Sequence, residues 1–158
     1  MRHTLKMNGK VSIAMRTFNP DEEILDYCKH IIHAHIQTVR NDRKNKTWYW
    51  DYPAMAAICH NSSCNAKRGS YSHYPQKKEF HQVLERKLME LGEIGGHSRK
   101  TGKRYIIGNC AEQHAANNYM KQCEEDDLNN LYFSKAMRPR TKQVFEYCDN
   151  CKDTFPNL

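Results

Sequence analysis

The chain has 158 residues, with 25 lysines and arginines against 18 aspartates and glutamates, a formal charge of +7, and only 39% hydrophobic residues. That length fits one domain with a modest core, and no stretch approaches the run of about 18 apolar residues that a membrane span requires. The basic balance excludes little but favours a polyanionic partner, nucleic acid ahead of an acidic membrane surface, although solubility alone explains it equally well.

Residues 1–18 show no clear period and read as an arm or an edge strand. Asn19, Pro20 and Glu22 form a helix start, and Ile24, Leu25, Cys28, Ile31, Ile32, Ile36 and Val39 recur behind it at helical spacing, predicting an amphipathic helix over 20–40. A charged loop follows, then strands over 54–60 and 70–74 forming a hairpin. Phe80, Val83, Leu84, Leu88 and Leu91 line a second helix that Gly92 can stop, and the basic, glycine-rich stretch after it reads as a mobile loop. A third helix opens near Asn109 with a small-residue face, and residues 131–137 are the next strand candidate. This order predicts an α/β layer sandwich with helices on the sheet, residues 1–50 being an added arm and helix and 51–158 the main domain.

Seven cysteines, an odd number, fit free thiols better than a closed set of disulfides. Cys148 and Cys151 have the C-x2-C spacing that lets one turn offer two thiolates to a tetrahedral zinc. Cys110 would make a third ligand and leave the fourth position open, the layout of a catalytic site. Glu112, two positions beyond Cys110, cannot easily bind the same ion but can carry protons for a water on it.

Cys110-Ala111-Glu112 followed by Cys148-Asp149-Asn150-Cys151 resembles the zinc-dependent cytidine deaminase superfamily in its three-cysteine form. More narrowly, "GNCAEQHA" with "MRPRTKQVFEYCDNC" is similar to deaminase domains at the ends of bacterial polymorphic toxins. The resemblance implies a cytidine deaminase-like layer sandwich with a mixed sheet, one catalytic Zn2+ held by Cys110, Cys148 and Cys151, and Glu112 moving protons as zinc-activated water attacks C4 of cytosine. Two departures stand out: Tyr147 replaces the proline that many members have before C-x2-C, and only seven residues follow Cys151, so the family sheet would be C-terminally short. Single-stranded DNA is the favoured substrate, with RNA or double-stranded DNA also open, and a toxin would have an immunity protein as partner. No membrane partner is expected, since no stretch is long and apolar enough to span a membrane and the Met1 end lacks a hydrophobic signal core. The site of action reads as cytoplasmic, with delivery as part of a longer secreted toxin the alternative.

Candidate substrate contacts are Asn109, His114, Tyr71, His73, Tyr74, Arg138 and Arg140, together with Trp50 in an aromatic run beside "RNDRKNK". Plainer explanations compete, a packed histidine for His114 and strand or core rings for the aromatics. Asn109 and Glu112 also fit a capping box, in which Glu112 would only bond a backbone N–H. Two other functions stay open. One is a deaminase of free nucleosides, nucleotides or adenine; the other is a non-catalytic zinc module that binds nucleic acid through Cys59, Cys64, Cys148 and Cys151.

Overall fold

The computed structural model describes residues 18–41, 53–62, 66–76, 78–99 and 105–158. Helix α1 spans Pro20–Asn41, and the Asn19 side chain accepts the Asp21 N–H at 3.0 Å to fix its start. Acidic residues fill its first turn and Arg40 its last, matching the helix dipole at both ends. Ile24, Cys28 and Ile31 lie on one face and bury against Ala56, Ile58 and Met137 of the sheet, whereas Leu25 is exposed and lies outside that stripe.

Strand β1, Ala56–His60, pairs antiparallel with β2, Lys67–Tyr71. β1 is buried along its whole length because helices cover both its faces. Ala56 and Ile58 meet α1, while Cys59 joins the larger core with Leu84 and Leu88 of α2 (Gln82–Met89) and Ala115, Ala116 and Met120 of α3 (Ala111–Cys123). Gly69 in β2 has a positional cause, since a Cβ there would sit 2.6 Å from the Tyr27 ring of α1. The second strand thus lies earlier than the expected 70–74. At Ser72 the chain is still tied to Met55, through Ser72 N–H to the Met55 carbonyl (2.8 Å) and Met55 N–H to Ser72 Oγ (3.1 Å), and then it leaves the sheet.

The expected strand over 131–137 is two short strands, β3 (Tyr132–Phe133) and β4 (Ala136–Met137), on the same edge of β1. Cys59 faces Phe133 and Ala56 faces Met137, so three steps along β1 are matched by four on the other chain, and a bulge takes up the extra residue. Ser134 holds the bulge: its N–H donates to the Ile58 carbonyl and its Oγ accepts the Ile58 N–H, both at 2.9 Å. Strand β5, Val144–Phe145, then pairs with β4, and the short helix α4 spans Asp149–Thr154.

The protein is thus a mixed α/β fold, with four helices and a five-stranded sheet of order β2-β1-β4-β5, β3 also pairing β1, among the described residues. Every strand pairing among the described residues is antiparallel, which corrects the expected mixed sheet. The reason is topological: the long connection carrying α2 and α3 returns the chain to the free edge of β1 running opposite to it. The glycine-rich stretch also departs from a loose loop in its described part, where His97 bridges Ile106 and Arg99 N–H donates to the Leu91 carbonyl. The expected boundary at residue 50 falls outside the described residues. Among those described, no helix is long and apolar enough to cross a membrane.

Candidate functional site

Cys110 and Cys148 are the N-cap residues of α3 and α4, both in extended backbone conformation. Their sulfurs lie 3.2 Å apart, and Cys151, fully buried inside α4, completes a group whose ligand atoms are all within 4.8 Å of one another. Cys59 sits in the hydrophobic core and is not part of this group; Cys64 lies outside the described residues.

The capping box is displaced by one residue from the expected Asn109/Glu112 pair. Gln113 takes the role instead, its Oε1 accepting the Gly108 N–H at 2.8 Å and the Cys110 N–H at 3.4 Å. Glu112 is thereby released from the Asn109 cap; its carboxyl meets its own backbone N–H and turns towards the sulfurs, with Oε2 3.6 Å from Cys151 Sγ. Gly108, at φ +85°, supplies the left-handed turn that precedes the cap.

Glu112 is only 5% exposed. Burial pushes its carboxyl up to about 7, with the negative charge of Cys148 adding to the rise against a backbone N–H and the Cys151 thiol. Cys148 is shifted the other way, down to about 3, because the thiols of Cys110 and Cys151 and the backbone N–H groups of Cys151 and Asn150 all stabilise its thiolate. Cys110 is raised by its hydrogen bond to Cys148, and Cys151 by burial. One thiolate, two thiols and a protonatable carboxyl are thus packed together.

This donor set fits a soft or borderline ion. Zn–S bonds of about 2.3 Å in tetrahedral geometry put sulfurs about 3.8 Å apart, so the Cys110–Cys148 pair need spread by only about half an ångström. The group could therefore hold a metal ion with three protein ligands.

Beside the sulfurs lies a cavity of about 340 Å³. Cys110, Cys148 and Glu112 contribute to its wall together with Asn109 and Arg138, whose guanidinium lies 4.7 Å from the centre of the Phe145 ring. Met55, Ser72, Tyr105, Ala136, Phe145 and Glu146 also line it, and nothing in their local spacing marked them. Of the remaining candidates, Arg140 is exposed outside the cavity, and Trp50 lies outside the described residues. Tyr71 and Tyr74 are exposed elsewhere, Tyr74 donating to the Gly95 carbonyl at 3.2 Å.

His114 is buried against its own surroundings and does not approach the sulfurs. Two helical residues beyond Glu112 it points about 200° around the axis, to the opposite side of α3. There it stacks on His73, with ring centres 3.5 Å apart.

Two unanticipated residues position the cysteine loop. Tyr147, which stands where a proline was expected, donates its hydroxyl to the Ser134 carbonyl at 2.9 Å and so pins the loop to the bulge. Asn150, fully buried between Cys148 and Cys151, donates to the Tyr105 carbonyl at 3.3 Å.

Compared with known protein families, curated proteins and solved structures, the chain matches none of them.

Proposed function

We propose that this protein is a zinc-dependent hydrolytic deaminase of the cytidine deaminase-like superfamily, similar to those of bacterial toxins, that converts cytosine to uracil in nucleic acid, single-stranded DNA above all. The observation that carries this reading is the position of Glu112. Its carboxyl shares one cavity wall with Cys110 and Cys148 and sits against Cys151, free of the capping role that would otherwise account for it.

Cys110, Cys148 and Cys151 would hold the zinc, which when bound supplies Lewis-acid activation of a water. The positive ends of α3 and α4, at whose first turns Cys110 and Cys148 sit, offset the charge that three thiolates accumulate. Glu112 takes a proton from the water, passes it to N3 of the base, and delivers the second to the departing amine, so that cytosine and water give uracil and ammonia. The cavity, with Arg138 in its wall, supports this reading: it would take a base that is already unpaired, and Arg138 would meet an adjoining phosphate.

The test is incubation of the zinc-loaded protein with single-stranded DNA, RNA, duplex DNA, cytidine and dCTP, with uracil scored in each. Conversion in single-stranded DNA is expected. Turnover of monomers alone would overturn the polymer assignment, and no turnover of any of the five would overturn the enzyme.

A further inference from the structure

On the side of α3 opposite Glu112, three polar side chains meet. His73 Nε2 and His114 Nδ1 lie 3.1 and 3.2 Å from the same atom, Glu79 Oε1. The other nitrogen of each ring also faces an acceptor: His73 Nδ1 lies 3.0 Å from the Tyr71 carbonyl, and His114 Nε2 lies 2.8 Å from the His73 carbonyl. Glu79 Oε2 accepts the Gln76 N–H at 2.8 Å, which fixes the carboxylate.

A neutral imidazole carries one N–H, yet each of these rings meets acceptors at both nitrogens. Carbonyls and an ionised carboxylate only accept. Whichever tautomer each ring takes, two neutral rings leave two contacts of lone pair against lone pair. Two added protons or one divalent cation would resolve them.

Two protons fit poorly. They would charge both members of a pair stacked 3.5 Å apart, one of them only 1% exposed, against a single carboxylate.

We propose that His73, Glu79 and His114 form a second metal site, separate from the cysteines, that takes a divalent transition ion such as Zn2+ and clamps residues 72–76 and 78–81 onto α3. Two imidazoles and one carboxylate are an established ligand set for such ions. Backbone carbonyls already hold the outer ring nitrogens, as metal-bound imidazoles require. Parallel rings direct their lone pairs side by side rather than to a point, so binding opens the stack into a wedge. His73 is the ring that tilts, since its side chain is 38% exposed while His114 is enclosed and stacked on Phe80 as well. Partial exposure of His73 and Glu79 gives the ion its way in.

Titration of the metal-free full chain with Co2+ tests this without reference to activity. Two equivalents are expected, one with sulfur-to-cobalt charge-transfer bands and one with only weak d–d bands. His73→Ala and Glu79→Gln should each weaken the second by at least about 100-fold, beyond what loss of an outer-shell partner does, and leave the first unchanged. Cys148→Ser should abolish the charge-transfer bands and keep the second equivalent. His114 is left intact because its burial makes unfolding a rival explanation. A single equivalent in the unaltered protein, or a second one that survives both His73→Ala and Glu79→Gln, would overturn the site.

Discussion

The sulfurs of Cys110 and Cys148 stand 3.2 Å apart across 38 residues of chain, each at the cap of its own helix. Two helix starts therefore face one point, and the sulfur group depends on the docking of α3 and α4 rather than on one flexible loop. Loss of any one sulfur leaves an ion two soft ligands. Cys110→Ser, Cys148→Ser and Cys151→Ser should each remove the sulfur-to-cobalt bands. Cys59→Ser should keep them and cost about 1–3 kcal/mol in urea unfolding, because its hydroxyl would be buried in the core. Retention in Cys110→Ser with loss in Cys59→Ser would instead assign the metal to a Cys59-based module.

Glu112→Gln keeps the size and the burial of the side chain but removes its capacity to carry a proton. The variant should fold, hold the sulfur-ligated metal with unchanged stoichiometry, and lose about 10²- to 10⁴-fold in uracil formation, the usual worth of general acid-base catalysis. Turnover within a few-fold of the unaltered protein would exclude Glu112 as the proton carrier.

The Glu112 carboxyl, raised to about 7, would add stability as pH falls and oppose the other groups. The test is therefore made in Glu112→Gln, which in metal-free form should lose stability as pH falls, in two stages. Burial holds the imidazoles of His60 and His114 below 6.5, so an unfolded chain takes up those protons at a pH where the folded chain still resists them. The unfolded state then binds more protons, and stability declines as pH drops below 6.5. Glu79 adds a second stage. Burial opposes its ionisation, but the Gln76 N–H and the two histidines outweigh it and keep the carboxyl below 4.5, so its contribution disappears as pH falls from 4.5 through that lowered value. Urea midpoints at pH 7.5, 5.5 and 3.5 should descend in that order, and equal midpoints at the first two would contradict the assignment.

What could be read before the fold was known depended on locality. The stripe of Ile24, Cys28 and Ile31 and the C-x2-C pair are set by spacing along one element, and both reappear in the structure. The side of α3 that His114 would face was set instead by α3 docking with its Glu112 side towards α4, which no local period encodes. The capping box slipped by one because the Asn109 N–H that Glu112 would have taken donates to the Ile106 carbonyl, while Gln113 reaches the N–H groups of Gly108 and Cys110. The bulge was hidden for a similar reason: in sequence Ser134 is, with Lys135, one of two polar residues in an otherwise apolar run, and its meaning comes from Ile58, 76 residues earlier.

That bulge is open to a direct test. Ser134→Ala would leave the buried Ile58 N–H without its acceptor, which costs about 1–3 kcal/mol. Because Tyr147 donates to the Ser134 carbonyl, a disturbed bulge should also loosen the cysteine loop, so the variant should bind the sulfur-ligated metal more weakly as well as unfold at lower urea. Reduced stability with unchanged metal affinity would mean that bulge and loop are independent.

The turn between β4 and β5 carries the charge that would separate a polymer substrate from a monomer. Arg138 lies at the cavity edge against Phe145, its N–H bonded to the Gln143 carbonyl across the turn, and Arg140 projects into solvent just beyond. Each phosphate of a single strand that a cation neutralises adds about 0.7 to the slope of log affinity against log salt. Arg140→Ala should therefore weaken single-stranded DNA binding at low salt and flatten that slope by about 0.7. Cytidine, which has no phosphate to meet Arg140, should be turned over at an unchanged rate. Fluorescence anisotropy over a salt series measures the first effect and a nucleoside assay the second. An unaltered slope would place the DNA backbone elsewhere on the surface, whereas equal losses on DNA and cytidine would mean that Arg140 shapes the cavity itself.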